Sequence, residues 1–105
     1  MEHLNKVELQ GTIWNAYIKD YGTTWAVTLL IVTQCSYYVQ DGSPVIENTW
    51  HHVTAWEGEK IANLDLLTTG TDVHIVGRIR VRKRRKCIGE EITDRDIVAS
   101  KVELM

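Results

Sequence analysis

Apolar and polar residues alternate in short runs along this chain of 105 residues. That period of two constrains the fold most, because a strand turns successive side chains to opposite faces whereas a helix repeats every 3.6 residues. From Val7, the odd positions Val7, Leu9, Gly11 and Ile13 face one way and Glu8, Gln10 and Thr12 the other, which reads as a half-buried strand. A second strand, about Thr23 to Gln34, has Trp25, Val27, Leu29 and Ile31 on one face. Ala26, Leu30 and Val32 make the other face apolar too, so cover is expected on both sides, from barrel closure or a subunit contact. A third strand, about Asn48 to Glu57, follows a loop containing Asp41-Gly42-Ser43 and the only proline, Pro44. Ile61, Leu64 and Leu67, with Ala62 beside them and Gly70 as a stop, predict a short helix over Glu59–Thr69. The fourth strand places Val73, Ile75, Ile79 and Val81 on one apolar face; the fifth, about Asp96 to Met105, groups Val98, Ser100, Val102 and Leu104.

The order is strand, strand, strand, helix, strand, strand. One helix between the third and fourth of five short strands is the arrangement of an all-β, five-stranded OB-fold barrel. A sandwich calls for more strands and no helix at that point. The length suits one domain, here residues 1–105, with a core large enough to do without staples.

Charge is distributed very unevenly. Gly77 to Lys86 holds seven of the twelve Lys and Arg residues, leaving five basic against fourteen acidic residues elsewhere. Arg78, Arg80 and Arg82 alternate with Ile79 and Val81, so a strand there buries one face and lines the other with guanidinium groups. Beyond Arg82 the alternation is lost, and Arg82 to Lys86 with Cys87-Ile88-Gly89-Glu90-Glu91 reads as a hairpin tip. A charge run is usually a solvated face. Like charges this dense repel one another unless an anion neutralises them, however, which points to a polyanion, most simply nucleic acid. Glu90, Glu91, Asp94 and Asp96 read as a solvated acidic base that partly balances the arm.

On the third strand Trp50, His52, Thr54 and Trp56 share one face, opposite His51, Val53 and Ala55. Either the tryptophans are buried, as most are, or they project outward, about 20 Å apart along the strand. His52 and Thr54 between them make a poor core, which favours the outward reading. Bases stack on exposed aromatic rings without demanding a sequence.

Other chemistry finds little support. His3, His51, His52, His74, Cys35 and Cys87 have no metal-ligand spacing, and His51 and His52 point to opposite faces of a strand. No metal, cofactor, phosphate-binding loop or nucleophile motif is expected, and hence no enzyme. No apolar run is long enough to span a bilayer, and the start lacks the features of a signal peptide. A cytoplasmic, nucleoid-associated protein with reduced thiols is expected.

Several stretches together resemble the bacterial single-stranded DNA-binding protein family: Asn5-Lys6-Val7-Glu8-Leu9-Gln10-Gly11; Thr49-Trp50-His51-His52-Val53 with Ala55-Trp56; Leu66-Leu67-Thr68-Thr69-Gly70; Val76 through Lys83; and Ala99 through Leu104. The resemblance implies an OB-fold that assembles as a homotetramer or dimer and binds single-stranded DNA without sequence preference. It implies that Trp50 and Trp56 stack on bases and that Tyr37 or Tyr38 stands near a third aromatic site. Arg80, Arg82 and Lys83 would contact the backbone, and His51 falls at a position associated with subunit contact. Lys6, Arg78 and Arg84 complete the expected nucleic-acid-binding set. Arg84 stands where the family usually carries an aromatic, and Trp14 where it usually carries a small residue, without the following Asp-Pro. The chain is read as a short form without the acidic tail that recruits replication and repair proteins, so those partners stay open. The alternative reading is an OB-fold protein-interaction subunit, primosome-like, whose aromatic face is buried against a partner.

Overall fold

The computed structural model describes residues 2–85, 89 and 91–105, with Arg84 described for its backbone alone. Lys86, Cys87, Ile88 and Glu90, the expected hairpin tip, lie outside the described residues. Five long strands, β1 (Val7–Asp20), β2 (Trp25–Tyr38), β3 (Pro44–Trp56), β4 (Asp72–Arg85) and β5 (Glu91–Leu104), close into a barrel in the order β1-β2-β3-β5-β4. All pairs are antiparallel except β3 with β5, a short parallel seam joining Val53–Ala55 to Ile97–Ala99. This is the expected all-β OB-fold barrel.

Closure depends on β1, which serves two neighbours. Its first half pairs with β4 and its second half with β2, the two ladders meeting at Thr12. Gly11 lies just before this changeover, and a Cβ there would stand 2.5 Å from the Val32 carbonyl oxygen. Gly77 is equally enclosed, because a side chain would collide with the Val98 carbonyl. Both are close-approach glycines at places where strands bend around the barrel.

Ile13, Val27, Leu29, Ile31, Val53, Val73 and Ile75 are fully enclosed and fill the interior, with Ala55 and Val102 beside them. Each large aliphatic among them contributes about 1.5–3 kcal/mol on burial. Val53 and Ala55 therefore mark the inner face of β3 and put Trp50, His52, Thr54 and Trp56 outside. On β2 the inner face is buried at Val27, Leu29 and Ile31, whereas Trp25, expected on that face, is 43% exposed at the start of the strand. Outside, Ala26 is buried while Leu30 and Val32 are half-buried, so the expected double cover is complete only at Ala26.

Three expectations need correction. The helix over Glu59–Thr69 is a single 3-10 turn, Leu64–Leu66, with Asn63 accepting a hydrogen bond from the Asp65 amide. The three-residue spacing of Leu64 and Leu67 is the period of that turn rather than of an α-helix. Ile61 forms a bridge to Val102, and Leu67 plugs the barrel end. Second, Ile79 and Val81 do share the inward face of β4, but they are 49% and 53% exposed. β1 pairs with β4 only as far as Gly77 and β3 with β5 only as far as Ile97, so beyond these points β4 and β5 run on as a two-stranded arm with no opposite wall to bury against. Third, β5 does not keep one apolar face, because the register shifts opposite Val76 and Gly77. Ser100 is left unpaired in the ladder and donates its hydroxyl to the Val76 carbonyl at 3.1 Å. The core residues are thus Ile97, Ala99 and Val102, while Val98 and Ser100 lie outside the core.

Candidate nucleic-acid interface

A second register shift decides the outer face of β1. The ladder with β2 runs from Ile13 opposite Ile31 to Asn15 opposite Leu30, so Trp14 is an extra residue in a β-bulge. The bulge is pinned from behind: Ile13 donates to the Thr71 carbonyl at 2.9 Å, and the Gly70 amide donates to the Ile13 carbonyl at 2.7 Å. After it Ala16 packs on the core, and Tyr17 and Lys19 take the outer face.

That shift brings aromatics of β1 against those of β3, across β2. The Trp14 and Trp50 rings meet edge-on, centroids 5.1 Å apart and planes at 79°. Tyr21, just past β1, leans on Trp56 at 5.0 Å and 41°, with the Lys19 ammonium 5.2 Å from the Tyr21 ring centre. Trp56 lies directly opposite Ala26 in the ladder, so this second pair accounts for the burial of Ala26. Trp50 remains 46% and Trp56 39% exposed. The sequence reading missed Tyr17, Lys19 and Tyr21, although their own period-two spacing was the available signal.

Between Trp56 and the arm of β4 and β5 runs a groove of about 530 Å³. Tyr17, Tyr21, Thr28, His52, Thr54 and Trp56 line one side, and Arg80, Arg82, Arg95 and Asp96 the other. The cross-strand register sets Arg80 opposite Asp96. Arg80 grips that carboxylate with two hydrogen bonds, Nε to Oδ1 at 3.1 Å and Nη2 to Oδ2 at 2.7 Å, and Arg82 Nε lies 3.8 Å away. The Asp96 side chain is only 9% exposed. The hydrogen bond from Arg80 holds its carboxyl below the usual range against the opposing effect of burial, helped by both guanidinium charges and the Thr54 hydroxyl. The same bond raises the Arg80 pKa. Asp96 is therefore no solvated balance for the arm but a fixed counter-charge within the groove wall.

The other expected residues divide between faces. Arg78 is exposed, shares the outer face with Arg80 and Arg82, and sits opposite Val98. Lys6 is exposed just before β1, beside Asn5, whose side chain both donates to the Ile79 carbonyl and accepts from its amide. Lys83 belongs to the opposite face of the arm from Arg82, and its ammonium lies 3.8 Å from Glu91. The Arg84 side chain lies outside the described residues. Tyr37 and Tyr38 are exposed at the end of the arm formed by β2 and β3, and only Tyr38 shares the face of Trp50. His51 points to the inner face, where its Nε2 lies 3.0 Å from the Thr33 hydroxyl and burial lowers its pKa. Among the described residues no group of three or more His, Cys, Asp or Glu could hold a metal ion, and no helix is long and apolar enough to cross a membrane.

Comparison with protein families gives a match over residues 4–105 to the single-strand binding protein family. The chain belongs to that family. Among solved structures it is similar to the SSB of Plasmodium falciparum in complex with ssDNA, with 20% identity and a TM-score of 0.83 over 100% of this chain and 96% of the other. It is also similar to a deletion mutant of the single-stranded DNA binding protein from Thermus aquaticus, with 19% identity and a TM-score of 0.78. That match covers 97% of this chain but 50% of the other, so the chain spans about half its length. A small single-stranded DNA-binding protein from Streptomyces coelicolor matches at 18% identity and a TM-score of 0.69, over 100% of this chain and 96% of the other. These identities speak for the barrel alone. No curated protein matches the chain.

Proposed function

We propose that this protein binds single-stranded DNA without sequence preference. Bases stack along the outer face of β3, and phosphates run beside the arm of β4 and β5. The observation that carries this is the juxtaposition, across one groove, of Trp56 and Tyr21 with a wall of guanidinium groups, while the exposed Trp50 and Trp14 pair continues the row of rings beyond the groove. Rings supply affinity that does not depend on base identity, and cations supply attraction to the backbone. Trp50 and Trp56 act as stacking residues, with Tyr38, and Tyr37 behind it, extending the path along the arm of β2 and β3. Arg78, Arg82 and Lys6 meet phosphates, with Lys83 and Arg84 further along the arm. Arg80, engaged with Asp96, serves more as a strut of the wall than as a phosphate ligand.

Assembly into a dimer or tetramer with subunit contact around His51, non-enzymatic action on ssDNA during replication, recombination or repair, and location at the nucleoid belong to the same proposal. Titration with oligo(dT) at several salt concentrations tests it. Tryptophan emission should be quenched, and log K should fall with log salt with a slope of about −3.5 for five neutralised phosphates. Unchanged emission, or affinity indifferent to salt, would refute the proposal.

A further inference from the structure

We infer that Trp14 is a base-stacking residue in its own right, a platform for the unpaired nucleobase next to the one on Trp50. The inference rests on the ssDNA path just proposed and extends it onto β1.

Trp14 is 59% exposed, more than either tryptophan of β3. With Trp50 beside it, itself 46% exposed, it forms a contiguous aromatic patch of the kind that marks a binding surface. Nothing in its own strand requires it there. As the extra residue of a bulge it has no partner in the ladder, while the hydrogen bonds of Ile13 to Thr71 and Gly70 hold the backbone beside it. Bulges re-aim side chains, and this one turns an indole across β2 toward Trp50. β1 and β3 flank β2 and so lie about 10 Å apart, a gap that two facing indoles can bridge.

The geometry of that meeting determines what each ring can do. An edge-on contact at 5.1 Å and 79° is a favoured aromatic arrangement that fixes both rings. It costs each ring at most part of one face, and because the rings are already ordered, stacking on them sacrifices little further side-chain freedom. Planes nearly at right angles cannot clamp one base between them. Each ring therefore takes its own base, and the sugar-phosphate chain turns between the two. Trp14 lies beyond the groove, whose lining reaches His52 and Trp56 but neither Trp50 nor Trp14. The platform thus lengthens the path at the end away from the arginine wall.

The decisive measurement is oligo(dT) titration of the triple variant Trp25→Phe, Trp50→Phe, Trp56→Phe, in which Trp14 is the sole tryptophan, alongside the wild-type chain and Trp14→Ala. Quenching of the Trp14 emission, together with an affinity loss of about 5-fold to about 100-fold in Trp14→Ala, is the expected result. Trp14→Phe should recover most of that loss. Should the triple variant not fold, ultraviolet cross-linking of the wild-type protein to an oligonucleotide carrying 5-iododeoxyuridine, followed by peptide mapping, must place an adduct on Trp14. Binding by the wild type with an unquenched, uncross-linked Trp14 overturns this inference alone, even if Trp14→Ala binds more weakly, since Trp14 would then only brace Trp50. Absence of binding by the wild type overturns the proposed function as well.

Discussion

At the Trp56 end of β3 an aromatic pair stands across a groove from Arg80, Arg82 and Asp96, whereas at the Trp50 end a similar pair stands where neither β2 nor β3 supplies a cation. No lysine or arginine occurs between Lys19 and Lys60, so neither central strand carries a permanently charged cation. The two sites use one device, a ring of β3 ordered by a ring from β1 or from just past its end, in different electrical surroundings. Stacking and phosphate attraction are therefore spatially separable in this barrel, and each should respond to its own perturbation.

The largest effect expected is on stacking. Trp50→Ala and Trp56→Ala should each cost about 1–3 kcal/mol of oligo(dT) affinity, with the salt slope unchanged for Trp50→Ala. Titrations of each variant at two salt concentrations check this, and a flatter slope for Trp50→Ala would break the comparison by showing that phosphate contacts reach that end. A smaller effect, opposite in sign, is expected from Asp96→Asn. Losing the counter-charge while keeping a hydrogen-bonding side chain leaves the Arg80 charge unneutralised in the wall. Binding should tighten at low salt and the slope steepen by about 0.7, an advantage of about fivefold for each tenfold dilution of salt. The substitution should also weaken folding in a pH-dependent way. The Asp96 pKa is lowered in the folded protein, so its stabilisation is present above the ordinary carboxylate range and lost as pH falls through the depressed value. Urea unfolding of wild type and variant should differ at neutral pH and converge in acid. An unchanged slope in Asp96→Asn would mean that bound DNA never senses Arg80.

What the sequence made legible follows from period-two alternation wherever strands are regular. Val53 and Ala55 marked the inner face of β3 and so placed Trp50 and Trp56 outside, and the strand order was enough for the barrel. The alternation misled at irregularities. A bulge adds one residue without altering composition, so nothing around Trp14 or Ser100 announces that the faces exchange there. Hence Tyr17, Lys19 and Tyr21 escaped notice, and Val98 and Ser100 were assigned to the wrong face. Alternation also persists where there is nothing to bury against, as at Ile79 and Val81 on the arm. The Arg80–Asp96 pair links residues sixteen positions apart. Only the register of β4 on β5 brings them together, and the register of a hairpin is set by turn geometry and by which face is buried, neither of which alternation within one strand reveals.

The smallest effect expected lies behind the Trp50 end, on the inner face of β3. His51 is half-buried beside Thr33, and burial lowers its pKa below the ordinary 6.5. A base with a depressed folded pKa binds its proton more readily in the unfolded chain, so stability is complete above pH 6.5 and declines as pH falls toward the folded value. Because Asp96 loses its contribution only in stronger acid, the two ends of β3 should separate along the pH axis. Between about pH 7.5 and pH 5.5 wild type should lose stability that His51→Gln does not lose, while Asp96→Asn tracks the wild type over the same interval. Unfolding midpoints in urea at the two pH values provide the check. Equal losses in wild type and His51→Gln would assign the mild-acid sensitivity to another group and leave the Trp50 end without a titrating element of its own.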